Sequence, residues 1–308
     1  MDLDRIPEKR SIIPDTDIGM LLVLLGAVFA GLRPLFGRWL LNDNLTAVII
    51  AFYTYTTSAA LFLPVGFRAT QGARRYRKTI AIAFAGGLFV GLGGMAYFEA
   101  LQRLPVATVT LINFTYPAMV ITAVAFIQRR WPQPLALLAV ACVLLGSGFI
   151  VGPKLQNQNA LITDFAIAFI SPLSWSLLLI LLAGRLTTLP LWSRIGFISS
   201  GATVAMIIMV VLWQPSTLLP QTATGWWGFL GLVVLSGVLT HIILTVGVPK
   251  AGPEKASITG VFEVATALVV GWVVFLEPIT ANQVTGVLFI GAALLLTRRF
   301  KVQIPPKF

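Results

Sequence analysis

The sequence predicts an all-α integral membrane protein, ten transmembrane helices arranged as two inverted five-helix repeats. Three observations carry that prediction. The chain is 57% hydrophobic with only 11% charged residues, apolar runs recur with short gaps along its whole length, and the basic residues fall on alternate connections. A soluble domain carries roughly 25% charged residues, and a mean hydropathy of +0.89 does not fit one.

The polar start MDLDRIPEKRSIIPDTD lacks a short apolar core followed by a small-residue cleavage site, so residues 1–17 read as a cytosolic tail and not as a signal peptide. Apolar runs of spanning length follow near 18–41, 45–66, 79–102, 105–127, 134–151, 161–183, 195–213, 225–247, 255–276 and 279–297. No connection can house a soluble domain. The repeats are expected at 18–152 and 160–298, with a second cytosolic tail at 299–308.

Of the 22 Lys and Arg, 18 fall in the two tails and the even-numbered loops, and only Arg103 and Lys154 on the opposite side. Basic residues collect on the cytoplasmic side of membrane proteins, so both termini are expected there, in a multi-pass protein of the plasma (inner) membrane. Read by location, the net charge of +11 is a topology signal, and it does not point to nucleic acid as a partner. The lipid bilayer is one partner; a homodimer is left open. One cysteine, Cys142, and one histidine, His241, exclude a disulfide framework and any metal site built from several Cys or His ligands. No Gly-rich Lys-Ser/Thr nucleotide motif and no His-Glu-x-x-His run is present, so no metal or other cofactor is expected. A membrane enzyme is disfavoured against a carrier, and nothing favours a receptor or scaffold.

An odd number of spans per half inverts the second half in the membrane. Sliding the chain on itself by 147 residues lays Gly37-Arg38 on Gly184-Arg185, sets Pro117 against Val264 and Arg130 against Glu277, and aligns the spans throughout. In the first half the segment YFEALQRLPVATVTLINFTYPA, and in the second GPEKASITGVFEVATALVVGWVVFLEP with its Ala256-Ser257 pair, Glu263 and the Leu276-Glu277-Pro278 ending, resemble the drug/metabolite transporter superfamily in its EamA-type branch. The resemblance covers nearly the whole chain after residue 18. It implies a secondary carrier of small metabolites, in the direction of export, working by alternating access around a cavity walled by the first, third, fourth, sixth, eighth and ninth helices. Some relatives in this family export amino acids. Val264 stands where the family commonly has proline, so a less kinked ninth helix is expected, and Arg130 stands where the first half commonly has glutamate.

Ionisable groups inside spans are costly and mark cavities, pathways or pairs. Here they are Arg33, Arg38, Glu99, Asp164, His241 and Glu263. At 1.5 Å per residue, Arg38, Glu99 and Asp164 share a level about 30 Å up, and they are expected to form a structural charge group. Arg33 lies about 22 Å up beside Pro34, and Glu263 about 12 Å up. One reading sets these two on facing walls of a central cavity, a donor for a carboxylate and an acceptor for an amine; the other is a permanent ion pair that orders the bundle. Their difference in depth argues against direct contact. Glu263 and His241 are the candidate proton carriers, with packing the alternative for His241. Trp175 beside a Ser-Pro break, and Tyr97, Asn113 and Tyr116 on helices that the resemblance puts in the cavity wall, complete the candidate substrate site. Gly87 and Gly91 in AGGLFVGLGGMA have the small-xxx-small spacing of close helix contacts.

Overall fold

The computed structural model describes residues 15–104, 109, 112–151, 161–276, 280–297 and 299. The tail cations Arg5, Lys9, Arg10, Arg298, Lys301 and Lys307, and also Lys154, Glu277 and Pro278, lie outside the described residues.

Every described element is helical. α1 (Asp15–Gly31) and α2 (Arg33–Asn42) form the first long helix, α3 (Ala47–Thr70) the second, and a 3-10 turn (Arg74–Tyr76) leads into α4 (Arg77–Arg103). α5 (Tyr116–Ile127) and α6 (Pro134–Val151) complete the first half. The second half holds α7 (Ile162–Ala183), a 3-10 turn (Arg185–Thr188), α8 (Leu191–Trp213), and α9 (Ala223–Gly231), which runs through a π-helical segment (Leu232–Leu239) into α10 (Thr240–Ala251). α11 (Pro253–Gly260), α12 (Glu263–Phe275) and α13 (Ala281–Thr297) follow. Seven helices are long and apolar enough to cross a membrane, and three shorter apolar helices, within α5, α6 and α13, stand at the fourth, fifth and tenth expected positions.

Large apolar side chains point outward from the bundle, among them Leu21, Leu61, Phe126, Ile162, Leu212 and Leu288. Helices apolar all round suit a lipid surround. Small residues such as Ala83, Ala139, Ala202 and Ala293 are fully buried between helices, which lets backbones pack closely where lipid gives no hydrophobic drive to association.

The packing repeats under exchange of the two halves. α1 lies against α10, and the equivalent helices of the other half, α7 and α4, lie against one another. α3 packs on α8 and α6 on α13, each pair being its own equivalent, and α5 packs on α11. A Cβ added at Gly19 would meet Ala251, and one at Gly26 would meet Leu244, so α1 and α10 run antiparallel. Gly86 against Leu181 and Gly93 against Ser174 give α4 and α7 the same relation. The small-xxx-small pair divides from these: Gly87 and Gly91 face Ile198 and Ala202 of α8.

Helix breaks recur at equivalent places. The chain turns at Phe114–Thr115 before α5 and at Val261–Phe262 before α12, residues separated by the same 147 positions. The ninth helix is therefore interrupted without the family's proline, contrary to the sequence expectation. Its break is a tightened turn in which Val261 and Phe262 donate to the carbonyls of Ile258 and Thr259 at 3.3 and 3.1 Å. The first helix breaks at Leu32, whose N–H donates to Phe29 O at 3.3 Å; Pro34, in the first turn of α2, removes only an N–H that has no helical partner there.

Candidate functional site

The three breaks meet at the centre of the bundle. A cavity of about 20 Å³ is lined by Gly26, Ala27 and Ala30 of α1, Tyr116 of α5, Trp175 and Leu179 of α7, Leu244 of α10, and Ala256, Gly260 and Glu263 at the α11–α12 break. The 147-residue offset pairs Tyr116 with Glu263, so equivalent positions of the two halves carry a phenol and a carboxyl into one space. Gly260 admits the ring, since a Cβ there would lie 2.7 Å from the Tyr116 hydroxyl. The Tyr116 backbone is held in turn, its carbonyl accepting from Ser176 Oγ at 3.1 Å.

Arg33 is half-buried at the start of α2. Its charge acts on Glu263, and also on Tyr97, Tyr55 and His241, which sit on four different helices. The difference in depth expected between Arg33 and Glu263 is not found. Gly31 packs on the backbone of α12, where a Cβ would lie 2.5 Å from the Glu263 carbonyl oxygen, so Arg33 is two residues, about 3 Å of rise, beyond that contact. The expectation failed because it measured both helices from a common level. Gly19, in the second turn of α1, is level with Ala251, whereas α11 starts only two residues after Ala251. Among the described residues, Arg33 and Glu263 form no ion pair within 4 Å.

His241 lies two residues after the end of the π-helical segment, in the first turn of α10. Its Nδ1 lies 3.1 Å from Ser58 Oγ, and its ring stacks on Tyr55 with centroids 6.2 Å apart. The Tyr55 hydroxyl reaches α4, since a Cβ on Gly94 would be 2.7 Å from it. Tyr55 and Ser58 were not among the sequence candidates, because the resemblance leaves the second helix out of the cavity wall. The signal was present in FYTYTTS, six consecutive hydroxyl-bearing residues at 53–58 within an otherwise apolar span.

The remaining candidates do not line the cavity. Asn113 Oδ1 accepts from Ser171 Oγ at 3.0 Å, tying the fourth helix to the Ser-Pro step of α7. Tyr97 packs against Ala100, Leu104, Ile112 and Ala168. Of the charge group expected from Arg38, Glu99 and Asp164, the two acids are held by Arg103. Arg103 pairs with Glu99 at 2.7 Å and with Asp164 at 3.5 Å, because Glu99 is one helical turn before it and Asp164 opens the facing helix. Asp164 also accepts the Leu161 N–H at 3.0 Å. Arg38 is exposed on α2. At the other end Lys250 lies 3.8 Å from Asp15, and the 147-residue offset carries Arg103 onto Lys250 and Asp164 onto Asp17. Each half thus sets a cation at the end of one helix beside an acid at the start of its neighbour.

Asp43 was not read as a site residue. Buried in the connection after α2, it accepts the backbone N–H groups of Gln221 and Thr222 at 2.7 and 3.1 Å, clasping the start of α9. Burial alone would raise its pKa; the Thr222 and Gln221 donors outweigh that and hold it below the usual aspartate value.

A polytopic helical bundle of two equivalent halves, broken helices meeting at a small cavity that holds a carboxyl and a phenol, defines a membrane protein of the transporter class. The chain belongs to the EamA-like transporter family, whose model matches residues 17–152 and 164–299, and the members of that family are transporters, not enzymes. A solved crystal structure superposes over 93% of this chain and 99% of its own, with a TM-score of 0.75 at 17% identity, a likeness of fold alone. A search of curated proteins gave no match.

Proposed function

We propose that this protein is a secondary carrier of the plasma membrane that exports small zwitterionic metabolites such as amino acids, by alternating access around the central cavity. The observation that carries the reading is a cavity with Glu263, Tyr116 and Trp175 in its wall, beside Arg33, whose charge acts on Glu263 without an ion pair between them. Arg33 supplies a fixed cation and N–H donors for a carboxylate, Glu263 an acceptor for an amine, and the aromatic rings the apolar surface for a side chain. A cavity of about 20 Å³ has room for a water, so a metabolite requires the halves to part. The glycine-lined seams between α3, α4 and α8 suit such sliding. His241 and Glu263 are the groups through which a proton gradient would couple. The charge bias supports cytoplasmic termini.

The test is uptake into proteoliposomes holding the purified protein, with a panel of amino acids, nucleosides and cationic drugs, each with and without a pH gradient. Amino acid transport that disappears in Glu263→Gln supports the proposal. Transport of none of the amino acids, or transport unchanged in Glu263→Gln, overturns it.

A further inference from the structure

We propose that the groove between α3, α4 and α8 is a binding site for an anionic phospholipid, with an acyl chain in the groove and the phosphate at the arginine cluster on its rim. The groove measures about 810 Å³ and is walled by Leu63 and Phe67 of α3, Ile80 and Phe84 of α4, and Phe197 of α8, with Arg77 at one end. Its size is in the roughly 300–1,000 Å³ range of small-molecule sites. Ser200, the one hydroxyl in the wall, already donates to the Phe197 carbonyl at 2.9 Å. A polar metabolite would leave its own groups unsatisfied against such a wall; an alkyl chain would not.

The head group is specified by charge. Arg77 stands in the groove wall; Arg68, Arg74, Arg75 and Lys78, in the connection and helix ends beside it in the chain, are likewise exposed, and residues 44–98 contain no Asp or Glu. Arg75 donates to the Tyr76 hydroxyl at 2.7 Å and lies over that ring. Among the described residues no acidic side chain pairs with any of the five, which leaves the cluster open to an anionic group. Basic pockets between helices at the cytoplasmic surface hold anionic lipid head groups, and this is the end that the charge bias assigns to the cytoplasm.

The location gives the lipid a consequence. α3 and α4 belong to the first half and α8 to the second, and their backbones touch through Gly66 against Ser193, Gly196 against Leu63 and Gly91 against Ala202. A lipid in the groove bridges the halves along the seam where they would slide.

The experiment is native mass spectrometry of the purified full-length protein. Micelles are doped with phosphatidylglycerol or phosphatidylcholine of identical acyl chains, and the retained lipid is counted. The wild type is expected to retain phosphatidylglycerol in preference. Arg74→Gln and Arg77→Gln should each lower that retention about fivefold, the size expected for one basic group beside an anionic surface, and leave phosphatidylcholine unchanged. Ala81→Trp, which fills the groove, should lower both, while Arg185→Gln, which removes an exposed cation elsewhere on the same end, should lower neither. Equal retention of the two lipids by the wild type, or phosphatidylglycerol retention that survives both arginine substitutions, would overturn the proposal.

Discussion

Gly31→Ala is the perturbation that most sharply tests how Arg33 and Glu263 are brought to one level. An added Cβ would stand 2.5 Å from the Glu263 carbonyl oxygen and 2.6 Å from Thr266 Cβ, where ordinary contact begins near 3.4 Å. Backbone cannot rotate away, so α1 and α12 must part by about 0.9 Å. Overpacking of this kind costs about 1–3 kcal/mol, and a misplacement near 1 Å at a reacting or binding site can cost about 100-fold in rate. Gly37→Ala is the control: six residues further along, a Cβ there meets nothing within 4 Å, and replacing a helical glycine by alanine is worth up to about 1 kcal/mol in favour of the helix. Thermal unfolding in detergent should place Gly31→Ala several degrees below the wild type and Gly37→Ala level with it or above. Transport should fall steeply in the first variant alone. Equal melting temperatures for the two variants, with transport intact in both, would refute the reasoning.

Three further outcomes follow from the same geometry. Asp43→Asn should destabilise the protein at neutral pH, since the folded state lowers the carboxyl pKa; the difference from wild type should hold above the unfolded value of about 4 and vanish as the pH drops through the lowered folded value, read as melting temperature against pH. Arg103→Gln should leave the melting temperature in detergent close to that of the wild type, because the guanidinium that holds Glu99 and Asp164 is half exposed and its pairs are screened by solvent. His241→Gln should remove the response of transport to a pH gradient while substrate binding, measured by isothermal titration, persists; a retained pH response would assign His241 to packing against Tyr55 and Ser58.

The helices and the two-fold pairing were legible in the sequence, because lipid demands continuous apolar runs and the 147-residue offset survives in the placement of spans. Even the breaks at Phe114–Thr115 and Val261–Phe262 obey it, although the break before α12 needs no proline and so left no local mark. What the sequence concealed is vertical register. Arg33 and Glu263 appeared to sit at different depths, because a span's first apolar residue does not report where its neighbour starts; the close contact at Gly31 sets that. Partner choice was hidden for a similar reason. Glu99 and Asp164 were expected to group with Arg38, but Arg103 is a single turn from Glu99 on the same helix and pairs with both acids. Tyr55, Ser58 and Asp43 make their contacts with residues more than 170 positions away or through a ring stack, pairings that no local pattern encodes.

The central claim is that Arg33 reads a carboxylate and Glu263 an amine. The most direct measurement is competition in proteoliposomes between an amino acid that the wild type transports and two analogues with the same side chain, one lacking the carboxylate and one lacking the amine. Arg33→Gln should lose discrimination against the analogue without a carboxylate, and Glu263→Gln should lose discrimination against the one without an amine, each leaving the other preference in place. Identical selectivity in the wild type and both variants, or the two preferences lost together in either one, would contradict the account.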